Sequence, residues 1–289
     1  MIDEPLALLA PLASETGAIH CRDGDGPDPK CSWYHGTLEY LRLLDLVISP
    51  AAHRDFFVSR IQALAEDRSF RSILISGAGD CSMMIQVLNG FGAAAVEPDI
   101  TVLDRCGTPL ALNRWLAERE DLSIEIIRSE ILDFDTDRTF DLICTHCFLG
   151  YFTPDVRPAL AAKWFSLLRP GGRLMTVNPI RDTPDYALVQ FTPDQAASFV
   201  DRALKAAESR PDMMAVGLDW FRQRVRTYAA NFGSFPVRSG DEFRGLFEAA
   251  GFTVEAMNLL HLLGTPTTPS TSGPTELGLK FMSMAAVRP

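Results

Sequence analysis

The chain has 289 residues, of which 47% are hydrophobic and 22% are charged, a balance typical of globular proteins. These values exclude a disordered tail, a collagen-like fibre and a small disulfide-stabilised domain. The net charge is −10, which argues against a nucleic-acid ligand because phosphate contacts need clustered cations. We therefore expect a small-molecule partner.

The sequence predicts neither a membrane span nor a secretory signal. No apolar run reaches the roughly 18 residues that a span needs. The first residues, MIDEPLALLAPLASE, carry acids where a signal peptide needs bases. We therefore expect a cytoplasmic protein. Four of the six cysteines fall inside predicted core elements, and we expect these four to be reduced apolar fillers.

Residues 1–70 are expected to form a helical lead-in. The stretch HGTLEYLRLLDLVISP (35–50) has leucines at helical spacing and a proline at its end, which predicts a helix that Pro50 stops. The stretch AAHRDFFVSRIQALAED (51–67) predicts a second helix. Between these two predicted helices and the N-terminus, the segment CRDGDGPDPKC (21–31) is typical of a loop.

From residue 71 onwards, short β-rich runs alternate with helical stretches. Strands are predicted over 72–76, 99–104, 122–129, 140–146 and 172–178, and helices over 82–90, 108–119 and 155–168. Continuous Ile, Leu and Val in strands that alternate with helices indicate a parallel sheet covered on both faces. The predicted class is α/β with a doubly wound, mostly parallel sheet.

Residues 182–236 interrupt this alternation with two amphipathic helices, over 192–208 and 218–232. A further helix begins at a Ser239 cap and ends at Gly251, and two strands close the chain. The expected organisation is a lead-in or lid (1–70), a ligand-binding core (71–181), a helical cap insert (182–236) and the rest of the core with the strand pair (237–289).

Two signals predict an adenosine-containing ligand. In SILISGAGDCSMM, a strand runs into Gly77-Ala78-Gly79 and then into a helix whose N-terminus offers free N–H groups. An ordinary tight turn gives the same pattern. Asp104 ends the next strand, where a carboxylate can accept both hydroxyls of a ribose or can cap the following helix. Because the glycine turn and Asp104 follow two successive strands, as they do in nucleotide-binding sheets, the two signals together favour an adenosine-containing ligand over an ordinary turn and a helix cap.

Five segments narrow this prediction: SGAGDCS (76–82), LDRC (103–106), RSEILDF (128–134), FDLICTH (140–146) and SLLRPGGRLMTVN (166–178). With them, residues 70–180 resemble the class I S-adenosyl-L-methionine (SAM)-dependent methyltransferases, and the last segment is the most specific match. The resemblance implies a seven-stranded, Rossmann-like methyltransferase fold with N-terminal helices and a helical lid. It also implies SAM as the cofactor.

The resemblance implies a set of cofactor-binding residues, with Glu130 at the adenine amino group and Ile131 against the ring. The full set is Ser76, Gly77, Ala78, Gly79, Asp80, Asp104, Arg105, Glu130, Ile131 and Thr145. The first motif departs from the family, because Ile75 replaces an acid and Cys81 replaces the third glycine. Asp80 then either holds the ammonium of the methionine moiety or caps the next helix.

The segment THCFLGYF (145–152) follows the fourth predicted strand, at the edge where open parallel sheets bind ligands. His146 is a candidate general base, or a histidine that bonds to the backbone. Phe148, Tyr151 and Phe152 either wall the sulfonium, since cations favour aromatic faces, or pack in the core. Of these rings, Tyr151 is the expected substrate contact.

The segment SWYHGTLEY (32–40) collects aromatic residues with polar atoms in the lead-in region. Such residues suit a small-substrate pocket, or pack at the start of a helix. We expect Trp33 and Tyr40 to contact substrate. Tyr34 and His35 join His146 as candidate catalytic residues.

No metal site is expected from the sequence. His20, Cys21, Cys31 and His35 offer the nitrogen and sulfur ligands that zinc prefers, but the Cys-x9-Cys-x3-His spacing matches no compact zinc knuckle. The aspartates of residues 22–30 lack the spacing and the distal glutamate of a calcium loop.

These features predict SAM-dependent methyl transfer to a small molecule. The alternative is attack on the aminocarboxypropyl arm of SAM, as in cyclisation to azetidine-2-carboxylate with release of methylthioadenosine, and the unusual first motif is its only support. A nicotinamide-dependent dehydrogenase and a non-catalytic binding module also remain open. The acceptor atom and the oligomeric state are not predicted.

Overall fold

The computed structural model describes residues 1–21, 31–92, 97–261 and 280–289. The helices are α1 (Leu6–His20), α2 (Ser32–Leu43), α3 (Arg54–Ala65), α4 (Ser82–Phe91), α5 (Gly107–Arg119), α6 (Arg157–Leu167), α7 (Pro193–Glu208), α8 (Pro211–Met214), α9 (Leu218–Asn231) and α10 (Gly240–Ala249). The strands are β1 (Ser72–Ser76), β2 (Asp99–Asp104), β3 (Ile124–Arg128), β4 (Phe140–His146), β5 (Leu168–Ile180), β6 (Thr253–His261) and β7 (Lys280–Val287). Apart from its two end residues, the predicted loop over 21–31 lies outside the described residues.

The strands form one seven-stranded sheet in the order β3-β2-β1-β4-β5-β7-β6. Strands β1 to β5 are parallel, and β7 runs antiparallel to both β5 and β6. The predicted fold class is therefore confirmed. The chain leaves β1 in one direction towards β2 and β3 and later returns on its other side as β4. The carboxyl ends of β1 and β4 thus flank the switch point, where open sheets of this kind bind ligands.

Both faces of the sheet are buried because successive side chains of a strand point to opposite sides. Ile73 and Ile75 pack with α1, α3, α4 and α5 on one face. Leu74 and Ile143 pack with Trp164 of α6 and with α10 on the other. This two-sided burial explains why the strands have continuous aliphatic sequences rather than alternating ones.

A third apolar cluster joins the lead-in to the insert. Leu41 of α2, Phe199 of α7 and Tyr228 of α9 are fully buried in it. The two regions that the sequence separates by the whole parallel sheet therefore share one core. No helix within the described ranges is long and apolar enough to cross a membrane.

Two predicted boundaries are wrong. Helix α2 ends at Leu43 rather than before Pro50, because the backbone turns into the left-handed region at Asp45 (φ 56°). Pro50 instead begins a 3₁₀ turn that ends at His53. Strand β5 begins at Leu168 rather than at residue 172, since Leu168 pairs with Phe140 before the register shifts at a bulge.

Candidate active site

The loop between β1 and α4 has two glycines in the left-handed region, Gly77 (φ +68°) and Gly79 (φ +66°). A Cβ atom on Gly77 would lie 2.3 Å from Cε2 of Phe148, so a side chain there would displace that ring. A Cβ on Gly79 would meet no described atom within 4 Å. Packing therefore requires glycine at residue 77, whereas Gly79 presents bare backbone to open space.

Asp104 lies against this glycine loop. Its Oδ2 accepts a hydrogen bond of 3.4 Å from the backbone N–H of Gly79. Its Oδ1 accepts one of 2.8 Å from the N–H of Cys106, at the start of α5. The carboxylate is half-buried, and burial raises its pKa. Asp104 therefore contacts both the glycine loop and the start of α5. Its role towards a ribose stays a prediction.

Asp80 is fully buried, and both of its carboxylate oxygens are engaged. Oδ1 accepts a 2.7 Å hydrogen bond from the N–H of Ser82 at the start of α4, as the helix-cap interpretation requires. Oδ2 forms an ion pair with Arg42 of α2. Arg42 also pairs with Glu39 at 3.2 Å, so one guanidinium serves two buried carboxylates.

The roles of Glu39 and Arg42 are not predicted from the sequence. Glu39 is 1% exposed, its Oε2 has no hydrogen-bond partner among the described residues, and burial raises its pKa. One signal in the sequence could have indicated their burial. In LEYLRLL (38–44), Glu39 and Arg42 lie three residues apart and every other residue is apolar, so the helix has no separate polar face for them. A sequence pattern alone does not say which charged residues are buried, because their partner Asp80 is far along the chain.

At the end of β4, His146 forms a histidine pair. Its Nε2 lies 3.0 Å from Nδ1 of His53 and 3.7 Å from Sγ of Cys147. Burial lowers the pKa of His53 to about 4. Burial and the neighbouring His53 lower the pKa of His146 as well. Both imidazoles are therefore neutral at physiological pH, and a neutral imidazole can accept a proton.

Four aromatic rings from three segments meet beside this strand end. The hydroxyl of Tyr151, in the 3₁₀ turn Leu149–Tyr151, donates a 2.7 Å hydrogen bond to the hydroxyl of Tyr34. Tyr34 stacks on Tyr228 of α9, with ring centroids 6.0 Å apart. Trp33 packs edge-on against both of these tyrosines. We call Trp33, Tyr34, Tyr151 and Tyr228 the aromatic cluster.

Two other predicted site residues have their main contacts outside the aromatic cluster. Tyr40 is buried against Trp220 and Phe221 of α9 rather than in the aromatic cluster. The ring of His35 packs edge-on against Tyr34, with centroids 5.1 Å apart. Its Nδ1, however, lies among thiols, 3.4 Å from Sγ of Cys21 and 3.5 Å from Sγ of Cys106.

The expectation that the four cysteines of the predicted core elements are apolar fillers holds for only part of the set. Cys81 and Cys144 are fully buried among apolar side chains. Cys21, Cys31 and Cys106 instead gather around the imidazole of His35. All six cysteines are free thiols in the structure.

The remaining predicted cofactor residues are divided between buried and exposed positions. Ala78 and Ile131 are buried, and the buried hydroxyl of Ser76 accepts a 3.0 Å hydrogen bond from Nε1 of Trp164. Thr145 is buried, and its Oγ1 has no hydrogen-bond partner in the part of the chain that the structure describes. Arg105 and Glu130 are exposed and form a 3.3 Å ion pair across the ends of β2 and β3.

Residues 73–172 match the family described as "Methyltransferase domain". They contain the glycine loop, Asp104 and the end of β4. This part of the chain is a class I methyltransferase domain. The matched segment is 100 of the 289 residues, and it supports a SAM-dependent transferase.

Solved structures show the same fold. A putative sarcosine dimethylglycine methyltransferase from Galdieria sulphuraria matches with a TM-score of 0.51 and 11% identity, over 82% of this chain and 86% of that chain. A geranyl diphosphate methyltransferase in complex with SAM matches with a TM-score of 0.50 and 12% identity, over 92% of this chain and 93% of that one. No curated protein matches this methyltransferase in sequence.

Proposed function

We propose that this methyltransferase transfers the methyl group of SAM to a small-molecule acceptor, bound between the end of β4 and helices α2 and α9. The observation that carries the proposal is the hydrogen bond from Tyr151 to Tyr34, which joins the core to the lead-in helix beside the switch point. An acceptor enclosed in this way is limited in size. A duplex or a folded macromolecule would need an open, basic surface instead.

The residues at the switch point fit SAM. Gly79 offers open backbone, and Asp104 beside it is a half-buried carboxylate suited to ribose hydroxyls. Ile131 is an apolar neighbour for adenine, with Glu130 at its edge. Arg42 is a buried cation suited to the carboxylate of the methionine moiety. Bound SAM supplies a methyl group that the positive sulfonium makes electrophilic.

The unpartnered buried oxygens support the same assignment. Buried polar atoms normally have hydrogen-bond partners, and each exception calls for a ligand, a water or a functional reason. Oγ1 of Thr145 and Oε2 of Glu39 are such exceptions among the described residues. Both are acceptors suited to the ammonium of SAM, while Asp80 is already held by Ser82 and Arg42.

The protein's contribution to the reaction is alignment and removal of a proton. The aromatic cluster presents ring faces and two hydroxyls to the acceptor. His146 is neutral, and we assign to it the proton that the acceptor nucleophile loses; its lowered pKa makes it a weaker base than a free imidazole and favours a nucleophile that gives up its proton readily. The 3.0 Å contact to Nδ1 of His53 lets the pair share that proton.

The test is an incubation of the enzyme with SAM labelled in its methyl carbon and a deproteinised small-molecule extract, with mass-spectrometric analysis of the products. We expect S-adenosylhomocysteine together with a labelled small molecule. The variant His146→Gln should retain SAM binding and lose transfer by about 10²- to 10⁴-fold, as expected for a general base. His20→Gln, at an exposed position, is the control.

Two outcomes would overturn the proposal. No labelled small molecule, together with label in protein or nucleic acid when a whole-cell extract is used instead, would replace the small acceptor with a macromolecule. Formation of methylthioadenosine from SAM alone would identify attack on the aminocarboxypropyl arm, the alternative reaction, which no contact among the described residues favours.

A further inference from the structure

Four potential metal ligands from three segments converge on one point. Sγ of Cys106 lies 3.5 Å from Sγ of Cys21 and 3.5 Å from Sγ of Cys31. Nδ1 of His35 lies 3.4 Å from Sγ of Cys21 and 3.5 Å from Sγ of Cys106. All four ligand atoms lie within 4.8 Å of one another.

Four of the six separations between ligand atoms fit a tetrahedral zinc site. With Zn–S bonds of about 2.3 Å and a Zn–N bond of about 2.0 Å, tetrahedral angles put two sulfurs about 3.8 Å apart and a sulfur and a nitrogen about 3.5 Å apart. The two sulfur–sulfur and two sulfur–nitrogen separations above differ from these values by about 0.3 Å or less. A disulfide would need a sulfur–sulfur distance near 2.05 Å, which neither of these two cysteine pairs has.

We propose that Cys21, Cys31, His35 and Cys106 bind one structural Zn²⁺. Three thiolates and one imidazole form a closed Cys₃His set, and four protein ligands leave no position for substrate. The site is therefore distinct from the proposed acceptor site. It also assigns His35 a role other than that of a catalytic base.

The environment of the cluster suits thiolate ligands. Oγ1 of Thr108 lies 3.0 Å from Sγ of Cys21, so its hydroxyl can donate to that sulfur. Cys106 is the N-cap residue of α5, and the positive end of a helix stabilises an anion. Such outer partners hold ligands in place and tune their affinity for the metal.

The sequence did not reveal this site because its fourth ligand is distant. Cys106 lies 71 positions after His35, so the set has no compact spacing. His20, the fourth ligand considered from the sequence, is exposed and is not part of the cluster. Only the packing of α1 and α2 against the start of α5 brings Cys106 to the other three.

The metal would connect the lead-in helices to the SAM-binding core. Cys21 directly follows α1, Cys31 directly precedes α2 and His35 lies in its first turn, while Cys106 lies two residues after Asp104. Zinc would thus fix both the lead-in and the loop that holds this carboxylate. This last consequence rests on the proposed function, whereas metal binding itself does not.

The experiment is metal analysis of the full-length protein, purified under reducing conditions from zinc-supplemented cells and dialysed against metal-free buffer. We expect one equivalent of zinc per chain. Replacement by Co²⁺ should give the strong visible bands of a tetrahedral site and thiolate-to-metal charge transfer. Cys31→Ser and Cys106→Ser should each lose most of the zinc, and His20→Gln should retain it.

Thr108→Val gives a milder variant, should the cysteine variants fail to fold. It removes the hydroxyl beside Cys21 and should weaken zinc affinity by about 10- to 100-fold. Absence of zinc with no cobalt spectrum would overturn the proposal. A disulfide between two of the three cysteines, or equal zinc in Cys31→Ser and wild type, would do the same.

SAM binding is measured separately on the same samples. Loss of the metal proposal would leave SAM binding and methyl transfer as they were proposed. Conversely, zinc bound by a protein that takes up no SAM would leave the metal site standing and remove the proposed function.

Discussion

Two loops meet at the switch point of the sheet, and they are constructed differently. After β1, residues 77–80 offer backbone groups and the carboxylate of Asp80. Within this region the N–H of Gly79 donates to Asp104, and the N–H of Ser82 donates to Asp80. After β4, residues 146–151 present neutral rings whose partners are 93 and 117 positions away. The first loop thus resembles a fixed receptor for a common ligand. The second loop is assembled by contacts with distant segments, and we expect it to select the acceptor.

The first loop nevertheless depends on one distant side chain, and replacing it should have the largest effect. Arg42→Met leaves Asp80 and Glu39 buried without their cation. Removal of one partner of a buried pair costs about 3 to 5 kcal/mol, which urea denaturation would measure. The control is Arg222→Met, whose ion pair with Asp219 is exposed and should cost less than about 1 kcal/mol. Equal losses would contradict the importance that we give to Arg42.

The two glycines of the first loop should respond differently to alanine. Both adopt positive φ, so each substitution carries a strain of about 1 to 2 kcal/mol. Gly77→Ala also forces Phe148 aside and should lose about 1 to 3 kcal/mol more. Gly79→Ala should instead weaken SAM binding more than it weakens the fold. The double variant Gly77→Ala with Phe148→Leu should recover part of the loss, and no recovery would show that the ring is not the cause.

His53, which contacts His146 of the second loop, should make the free energy of unfolding depend on pH. The pKa of His53 falls from 6.5 in an unperturbed histidine to about 4 in the fold, so the unfolded chain binds its proton first as pH falls. The free energy of unfolding should be highest above pH 6.5 and should decline towards pH 4. The slope is up to about 1.4 kcal/mol per pH unit for each proton. His53→Gln should flatten this profile, and an unchanged slope in that variant would assign it to other groups.

The smallest effect is expected in the aromatic cluster. Tyr34→Phe removes the acceptor of the Tyr151 hydrogen bond and should cost at most about 1 kcal/mol of stability. Once an acceptor is known, its KM should rise several-fold while the affinity for SAM stays unchanged. Tyr40→Phe is the matched control, since that ring packs against α9. An equal rise in KM for both variants would mean that the cluster does not contact the acceptor.

The same contrast explains how much of the molecule could be predicted. Strands such as β1 and β4 are encoded by short aliphatic runs, and the glycine loop with Asp104 follows directly from their ends. The ion cluster of Arg42 and the thiols around His35 depend on contacts between distant segments. Single-sequence periodicity carries no information on such contacts, so their residues were predicted in other roles or not at all.

The central claim is that the stretch from Gly77 to Asp104 binds SAM. Isothermal titration calorimetry of the wild type and of Asp104→Asn tests it most directly. We predict one SAM per wild-type chain, and an affinity reduced by about 10- to 100-fold in the variant, because a hydrogen bond to a charged group contributes about 1.5 to 3 kcal/mol. No heat with the wild type, or equal affinity in the two proteins, would contradict the claim.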